Sequence, residues 1–77
     1  MKVTVELQAY LDKYSPNGEN EFTYELPDGA RAQDLIRRLA IPEELASVII
    51  VGNVNADYDE PLSDGVRITL IPPLAGG

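Results

Sequence analysis

Apolar and polar positions alternate at the start of the chain, with Val3, Val5, Leu7 and Ala9 separated by Thr4, Glu6 and Gln8. A period of two predicts a strand with one buried face, carried through Ala9. Ser15-Pro16-Asn17-Gly18 is a dense turn signal. Beyond it, Phe22, Tyr24 and Leu26 alternate with Glu21, Thr23 and Glu25. The two alternating runs predict an antiparallel hairpin.

The period changes after Pro27-Asp28-Gly29. Ala32, Leu35, Ile36 and Leu39 recur at the spacing of one helical face, and Gln33, Asp34, Arg37 and Arg38 fall on the other. Asp34 and Arg38 stand four apart, which predicts a favourable ion pair, and the two arginines suit the negative end of the helix dipole. No Ser or Thr occupies the start near Ala30-Arg31, so the N-terminus is weakly specified. Ile41-Pro42 predicts the stop, because a residue before proline avoids the α region. Pro42 to Leu45 can add one further turn. Val48 to Val51 is short, β-branched and wholly apolar, predicting a strand buried on both faces. The polar segment from Asn53 to Gly65 reads as loop, with Leu62 as an inward plug and Ser63-Asp64-Gly65 as a turn. Val66, Ile68 and Leu70 then alternate with Arg67 and Thr69, predicting a last strand that runs into Pro72-Pro73. A helix stripe needs an apolar sheet face to cover, so the order strand, strand, helix, strand, strand predicts a two-layer α+β domain. We place that domain at residues 1–71 and a flexible tail at residues 72–77.

Composition narrows the chemistry. Seventy-seven residues make one small domain, and a chain of this size buries only about 60% of its unfolded surface. There are no cysteines and no histidines. That removes disulfides, thiolate-bound zinc, the usual general base and the usual pH switch. A net charge of −7 argues against nucleic acid and anionic membrane surfaces, and for basic clefts on protein partners. The longest nearly apolar stretch, Leu45 to Val51, is too short to span a bilayer. Strand-like sequence begins directly after Met1-Lys2, with no signal-peptide pattern. The expected location is the cytoplasm.

The feature with chemical content is the end of the sequence, Pro72-Pro73-Leu74-Ala75-Gly76-Gly77. Two prolines lack N–H donors, so they end a strand ladder and favour an extended backbone. Six extended residues reach on the order of 20 Å. Leu74 offers one apolar anchor. Ala75, Gly76 and Gly77 have almost no side-chain bulk, so a narrow channel admits them and another backbone can pair with them. The reactive group is the Gly77 carboxylate. A free carboxylate is a poor electrophile, so a partner must activate it, as an acyl-adenylate from ATP. Glycine leaves that acyl carbon open to a sulfur or amine nucleophile. Glycine is also common at frayed termini, but at about 7% usage a Gly-Gly pair at one given place is about a 0.5% coincidence.

These residues resemble a known family. "LSDGVRITLIPPLAGG" and "ELPDGARAQDLIRRL", together with the element order, are similar to the molybdopterin synthase small subunits of the MoaD/ThiS-like sulfur carriers. The likeness extends over nearly the whole chain and is most specific at Pro72-Pro73 and Gly76-Gly77. It implies a ubiquitin-like β-grasp fold, a mixed four- to five-stranded sheet on one main helix, with the first and last strands adjacent at the centre. It also implies a carrier rather than an enzyme, with no bound cofactor and no metal. An E1-like adenylating enzyme would charge Gly77 with ATP, and a sulfur donor would convert it to a thiocarboxylate. A molybdopterin synthase large subunit would accept the tail, with Pro72, Pro73, Leu74, Ala75 and Gly76 as docking residues, for molybdenum or tungsten cofactor synthesis. Three features depart from the family pattern. Leu7-Gln8-Ala9-Tyr10-Leu11-Asp12 replaces a phenylalanine-rich strand and basic residue, Gly52-Asn53 replaces Asn-Gly, and the helix-start Thr or Ser is missing near Arg31.

Other readings carry less. Asp57, Asp59 and Glu60 match no established metal spacing and read as a solvated loop. Ser63 lies in "LSDG", a setting shared with acyl carrier attachment serines, but those proteins are helical bundles. Tyr10, Tyr14, Phe22 and Tyr24 gather near the hairpin. The charge has the wrong sign for a nucleic-acid platform, so packing is the expected role. Two alternatives stay open. One is a sulfur carrier for thiamine-type thiazole synthesis, with a thiazole synthase as partner. The other is a ubiquitin-like modifier or non-covalent interaction module.

Overall fold

A computed structural model describes residues 1–73 of the chain. Its strands are β1 (Lys2–Leu7), β2 (Glu21–Glu25), β3 (Val48–Val51), β4 (Val54–Ala56) and β5 (Arg67–Ile71), with one α-helix, α1 (Ala32–Arg38). Short 3₁₀ helices cover Ala9–Tyr14 and Glu43–Leu45. The sheet order is β2-β1-β5-β3-β4. β1 pairs antiparallel with β2 and parallel with β5, while β3 pairs antiparallel with both β5 and β4. The first and last strands therefore lie side by side, and β5 is the middle of five.

The register decides what each face sees. Val3, Val5 and Leu7 are fully or almost fully buried, and they stand opposite Tyr24, Phe22, Ile68 and Leu70 on one face. The stripe Ala32, Leu35, Ile36 and Leu39 is buried as its spacing predicts. Leu26, Ile41, Ala46 and Leu62 close the same core, so Leu62 is the expected plug. The opposite face carries Thr4, Glu6, Arg67 and Thr69, which stay there by alternation.

Four local expectations give way. Ala9 is not in β1: it takes φ +54°, and the chain turns into the 3₁₀ helix, whose Leu11 is fully buried. The hairpin connection is therefore a folded segment, with the Asn17-Gly18 turn at its far end. Val48–Val51 is not buried on both faces, since Val48 is exposed and Ile50 and Val51 are only half-buried. The strand with consecutive buried residues is β5, where Ile68, Thr69 and Leu70 are all buried. A central strand is shielded by neighbours on both sides, whereas β3 has only the three-residue β4 beyond it. The segment after Gly52-Asn53 is not all loop, because Val51 faces Val54 across that turn and β4 completes a fifth strand. Gly-Asn between apolar residues is a hairpin signal, and Gly52 takes φ +66° there.

The helix ends differ as well. Asp34 does not pair with Arg38. Its carboxylate turns back and accepts the Arg31 N–H at 2.7 Å, half of a capping box. The next amides find partners in the distant loop: Ala32 N–H donates to the Glu60 carbonyl at 2.9 Å and Gln33 N–H to the Tyr58 carbonyl at 2.8 Å. Tertiary carbonyls thus replace the missing Ser or Thr cap. The Arg31 guanidinium holds the Asp59 carbonyl at 2.7 Å, and the Tyr58 hydroxyl donates to the Glu43 carbonyl at 2.7 Å. Burial raises the Tyr58 phenol above its ordinary pKa, with Glu43 and Glu44 adding to the rise, so it stays a donor. The loop that read as solvated acid supplies backbone to the helix.

At the other end, Ala40 N–H bonds the Arg37 carbonyl at 3.0 Å and Ile41 N–H bonds the Ile36 carbonyl at 3.1 Å. This is a Schellman motif, with buried Ile36 against buried Ile41. The helix stops here, before Pro42 acts. Its left-handed residue is Ala40 at φ +60°, where glycine is the usual occupant. Replacing Ala40 with Gly relieves the Cβ strain and gives back part of that gain as unfolded-chain entropy. Ala40→Gly is expected to raise stability by roughly 0.5–1 kcal/mol. The corresponding rise in Tm is about 2–8 °C, read by thermal unfolding.

Candidate functional site

The site is the place where β5 releases the chain. Two strands hold β5 as far as Leu70, which lies opposite Leu7 of β1 and Ile49 of β3, and β3 alone pairs the last residue, Ile71 opposite Val48. One further bond closes the ladder beyond β1, from Gln8 N–H to the Leu70 carbonyl at 3.0 Å. Pro72 follows and is buried, while Pro73 is exposed. Neither offers an N–H, so the ladder cannot continue past Ile71. Of the two prolines predicted to dock a partner, Pro73 presents its ring to solvent and Pro72 belongs to the wall of the domain. The expected docking residues Leu74, Ala75 and Gly76, and the acyl residue Gly77, lie outside the described residues.

Two flanks frame the exit. On the sheet face away from the helix, Val48 and Ile71 form a cross-strand pair, and Ile50 lies two residues further along β3. Val48 is 37% exposed and Ile50 and Ile71 are half-buried, which makes a short apolar strip on an otherwise polar face. The second flank is the 3₁₀ helix, where Tyr10 is 42% exposed and its hydroxyl donates to the Pro73 carbonyl at 3.3 Å. The aromatic residues of this region otherwise pack, with Phe22 and Tyr24 meeting edge to face at 6.3 Å. Tyr10 is the exception, and nothing in its local spacing marks it. Its role depends on Ala9 turning left-handed, which a sequence period does not show.

The polar half of the same face is organised around Arg67. Its guanidinium contacts Glu6 at 2.7 Å and Glu21 at 2.8 Å, crossing β5, β1 and β2. The hydrogen bond from Arg67, and then its charge, hold the Glu21 carboxyl below the usual carboxylate range. The hydrogen bonds that Arg67 donates to Glu21 and Glu6 in turn hold its proton more tightly than usual. Among the described residues no set of three acidic side chains gathers into a metal cluster, and no helix is long and apolar enough to cross a membrane.

A five-stranded mixed sheet with parallel first and last strands at its centre, packed on one helix, defines a ubiquitin-like β-grasp protein. Solved structures share it. The putative molybdopterin converting factor subunit 1 of Pyrococcus furiosus superposes with a TM-score of 0.77 at 32% identity, over 96% of this chain and 99% of that one. A chain of the Helicobacter pylori complex of subunits 1 and 2 of molybdopterin-converting factor gives 0.62 at 28% identity, with both chains covered fully. SAMP1 of Haloferax volcanii gives 0.75 at 16% identity, again over the whole of both chains, a likeness of fold. Among curated proteins, the molybdopterin synthase sulfur carrier subunit of Chlamydomonas reinhardtii is 41% identical over 68 residues, covering 78% of this chain and 82% of its own. The ThiS family profile matches residues 6–77. The chain belongs to the ThiS family, and with it to the MoaD/ThiS-like sulfur carriers that its ending resembles.

The Arg67 bridge has a pH signature. Glu21 is lowered in the folded state, so its contribution is present above the unfolded glutamate pKa of about 4.3. It is lost as the pH falls through the lower, folded value. In Arg67→Met, carboxyl-detected NMR is expected to show Glu21 titrating in the ordinary range. The stability advantage of the unsubstituted protein over Arg67→Met should shrink with acidification across that window, as measured by urea unfolding at stepped pH.

Proposed function

We propose that this chain is the sulfur carrier of a molybdopterin synthase, with Gly77 as the residue that bears the sulfur. The observation that carries the reading is the exit itself. A central strand, held on both sides, delivers Pro72-Pro73 to the surface between an apolar strip and Tyr10, and Gly76-Gly77 stands four residues on. The relatives named for molybdopterin synthesis support the same assignment.

In this reading the protein is substrate and carrier, and its partners supply catalysis. An E1-like adenylating enzyme binds ATP, the Gly77 carboxylate attacks the α-phosphorus, and pyrophosphate leaves. A persulfide sulfur from a sulfur donor then attacks the acyl carbon, and AMP departs with the bonding pair. A thiol reductant cleaves the acyl disulfide, leaving a thiocarboxylate at Gly77. Glycine suits this position because no Cβ hinders attack on the acyl carbon. The large subunit of the synthase receives the charged tail, with Pro73, Leu74, Ala75 and Gly76 lining the entry and Pro72 fixing their root. The apolar strip of Val48, Ile50 and Ile71 offers that partner a surface beside the tail. The negative charge of the whole chain, −7, favours a basic cleft. Both encounters take place in the cytoplasm.

The test is to incubate the chain with its cognate adenylating enzyme, ATP and a persulfide donor, and to weigh the intact protein. The expected product has one sulfur in place of one oxygen at Gly77. Removing Gly77 should abolish charging and leave Tm unchanged, because glycine has no side chain to contribute to a core. Protein recovered only as isopeptide conjugates would instead favour a modifier. Transfer of sulfur to a thiazole synthase and not to a molybdopterin synthase would favour the thiamine route.

A further inference from the structure

We infer that Tyr10 is a positioning residue that aims the C-terminal strip by latching the carbonyl of Pro73. The inference rests on the sulfur-carrier reading above and concerns how the same terminus is presented. Consecutive prolines remove two N–H groups from the strip, so Pro72 and Pro73 can be held only through their carbonyls or by apolar contact. Tyr10 supplies the matching donor, 63 residues away in sequence, at 3.3 Å from the Pro73 carbonyl oxygen.

The phenol is brought there by a chain of anchors. Gln8 N–H bonds the Leu70 carbonyl at 3.0 Å, tying the start of the connection to β5. Ala9 then takes φ +54° and redirects the backbone. Leu11 N–H bonds the Gln8 carbonyl at 3.1 Å, and the Leu11 side chain is fully buried. Tyr10 is thus bracketed by a strained residue and a core residue, while its own ring stays 42% exposed. A strained backbone is kept only where the surroundings over-determine it. Here those surroundings place one hydroxyl on the last described carbonyl. Buried Pro72 sets where the strip leaves, and Tyr10 sets its direction.

A single neutral hydrogen bond of this kind contributes modestly, about 0.5–1.5 kcal/mol. Its loss changes how often the free protein shows the tail in the docking orientation, and leaves the acyl chemistry untouched. The adenylating enzyme should therefore meet Tyr10→Phe with KM raised about 2–10-fold and kcat unchanged. The experiment measures ATP–pyrophosphate exchange by the cognate adenylating enzyme at varied concentrations of unsubstituted protein, Tyr10→Phe, Tyr24→Phe and the chain lacking Gly77. Carbon-13 NMR of the Pro73 carbonyl and Tm are recorded on each. The expected result is an upfield shift of the Pro73 carbonyl and a raised KM in Tyr10→Phe, with Tm lowered by about 2–12 °C, and neither the carbonyl shift nor the raised KM in Tyr24→Phe. A Tyr10→Phe variant with unchanged KM, or with an unmoved Pro73 carbonyl, overturns the latch while an inert Gly77-less chain keeps the carrier reading. A Gly77-less chain that still supports exchange overturns the carrier reading itself.

Discussion

The parallel pairing of β1 with β5 is the constraint from which the rest follows. It unites the two ends of the sequence at the centre of the sheet, opposing Val5 to Ile68 and Leu7 to Leu70 with all four side chains fully buried. Parallel strands need a crossover, and the segment between them provides one that contains β2, α1, β3 and β4. Because β5 is central, it is paired on both sides as far as Leu70, and Ile71 is still paired with Val48. A small domain thereby ties the root of its C-terminal segment to the middle of the sheet.

Around that point the two faces of the sheet have different tasks. The helix face takes the aliphatic side chains and supplies stability. The open face is divided between the Arg67 bridge, which spans three strands, and the strip of Val48, Ile50 and Ile71 beside the exit. Apolar side chains left in water beside the end of β5 suit a surface that is covered when a partner binds. The chain contains neither histidine nor cysteine, and in the proposed reading its chemical group is the Gly77 carboxylate.

The helix shows how tertiary contacts stand in for local signals. Its first amides are satisfied by the carbonyls of Tyr58 and Glu60, its Asp34 caps Arg31, and its end turns on Ala40 without glycine. Each is a departure from the usual residue at that position. The first amides are satisfied by a segment distant in sequence, so the 57–60 loop is a structural strut despite its acidic composition.

The sequence by itself determined the elements whose period is long enough to read, namely β1, β2, α1 and β5. It also determined the plug at Leu62, because apolar spacing reports which face must be buried. It marked the candidate site through Pro72-Pro73 and Gly76-Gly77, whose chemistry is local to the residues themselves. The tertiary structure alone decided that β5 and not β3 is the strand buried on both sides, since this depends on strand order and not on composition. It likewise decided that Asp34 serves the cap and not Arg38, and that Pro72 is wall while Pro73 is surface. Tyr10 reaches Pro73 only because Ala9 adopts a left-handed conformation and β5 lies beside β1. A contact between residues 63 positions apart leaves no trace in local spacing, which is why it could be found only in the folded chain.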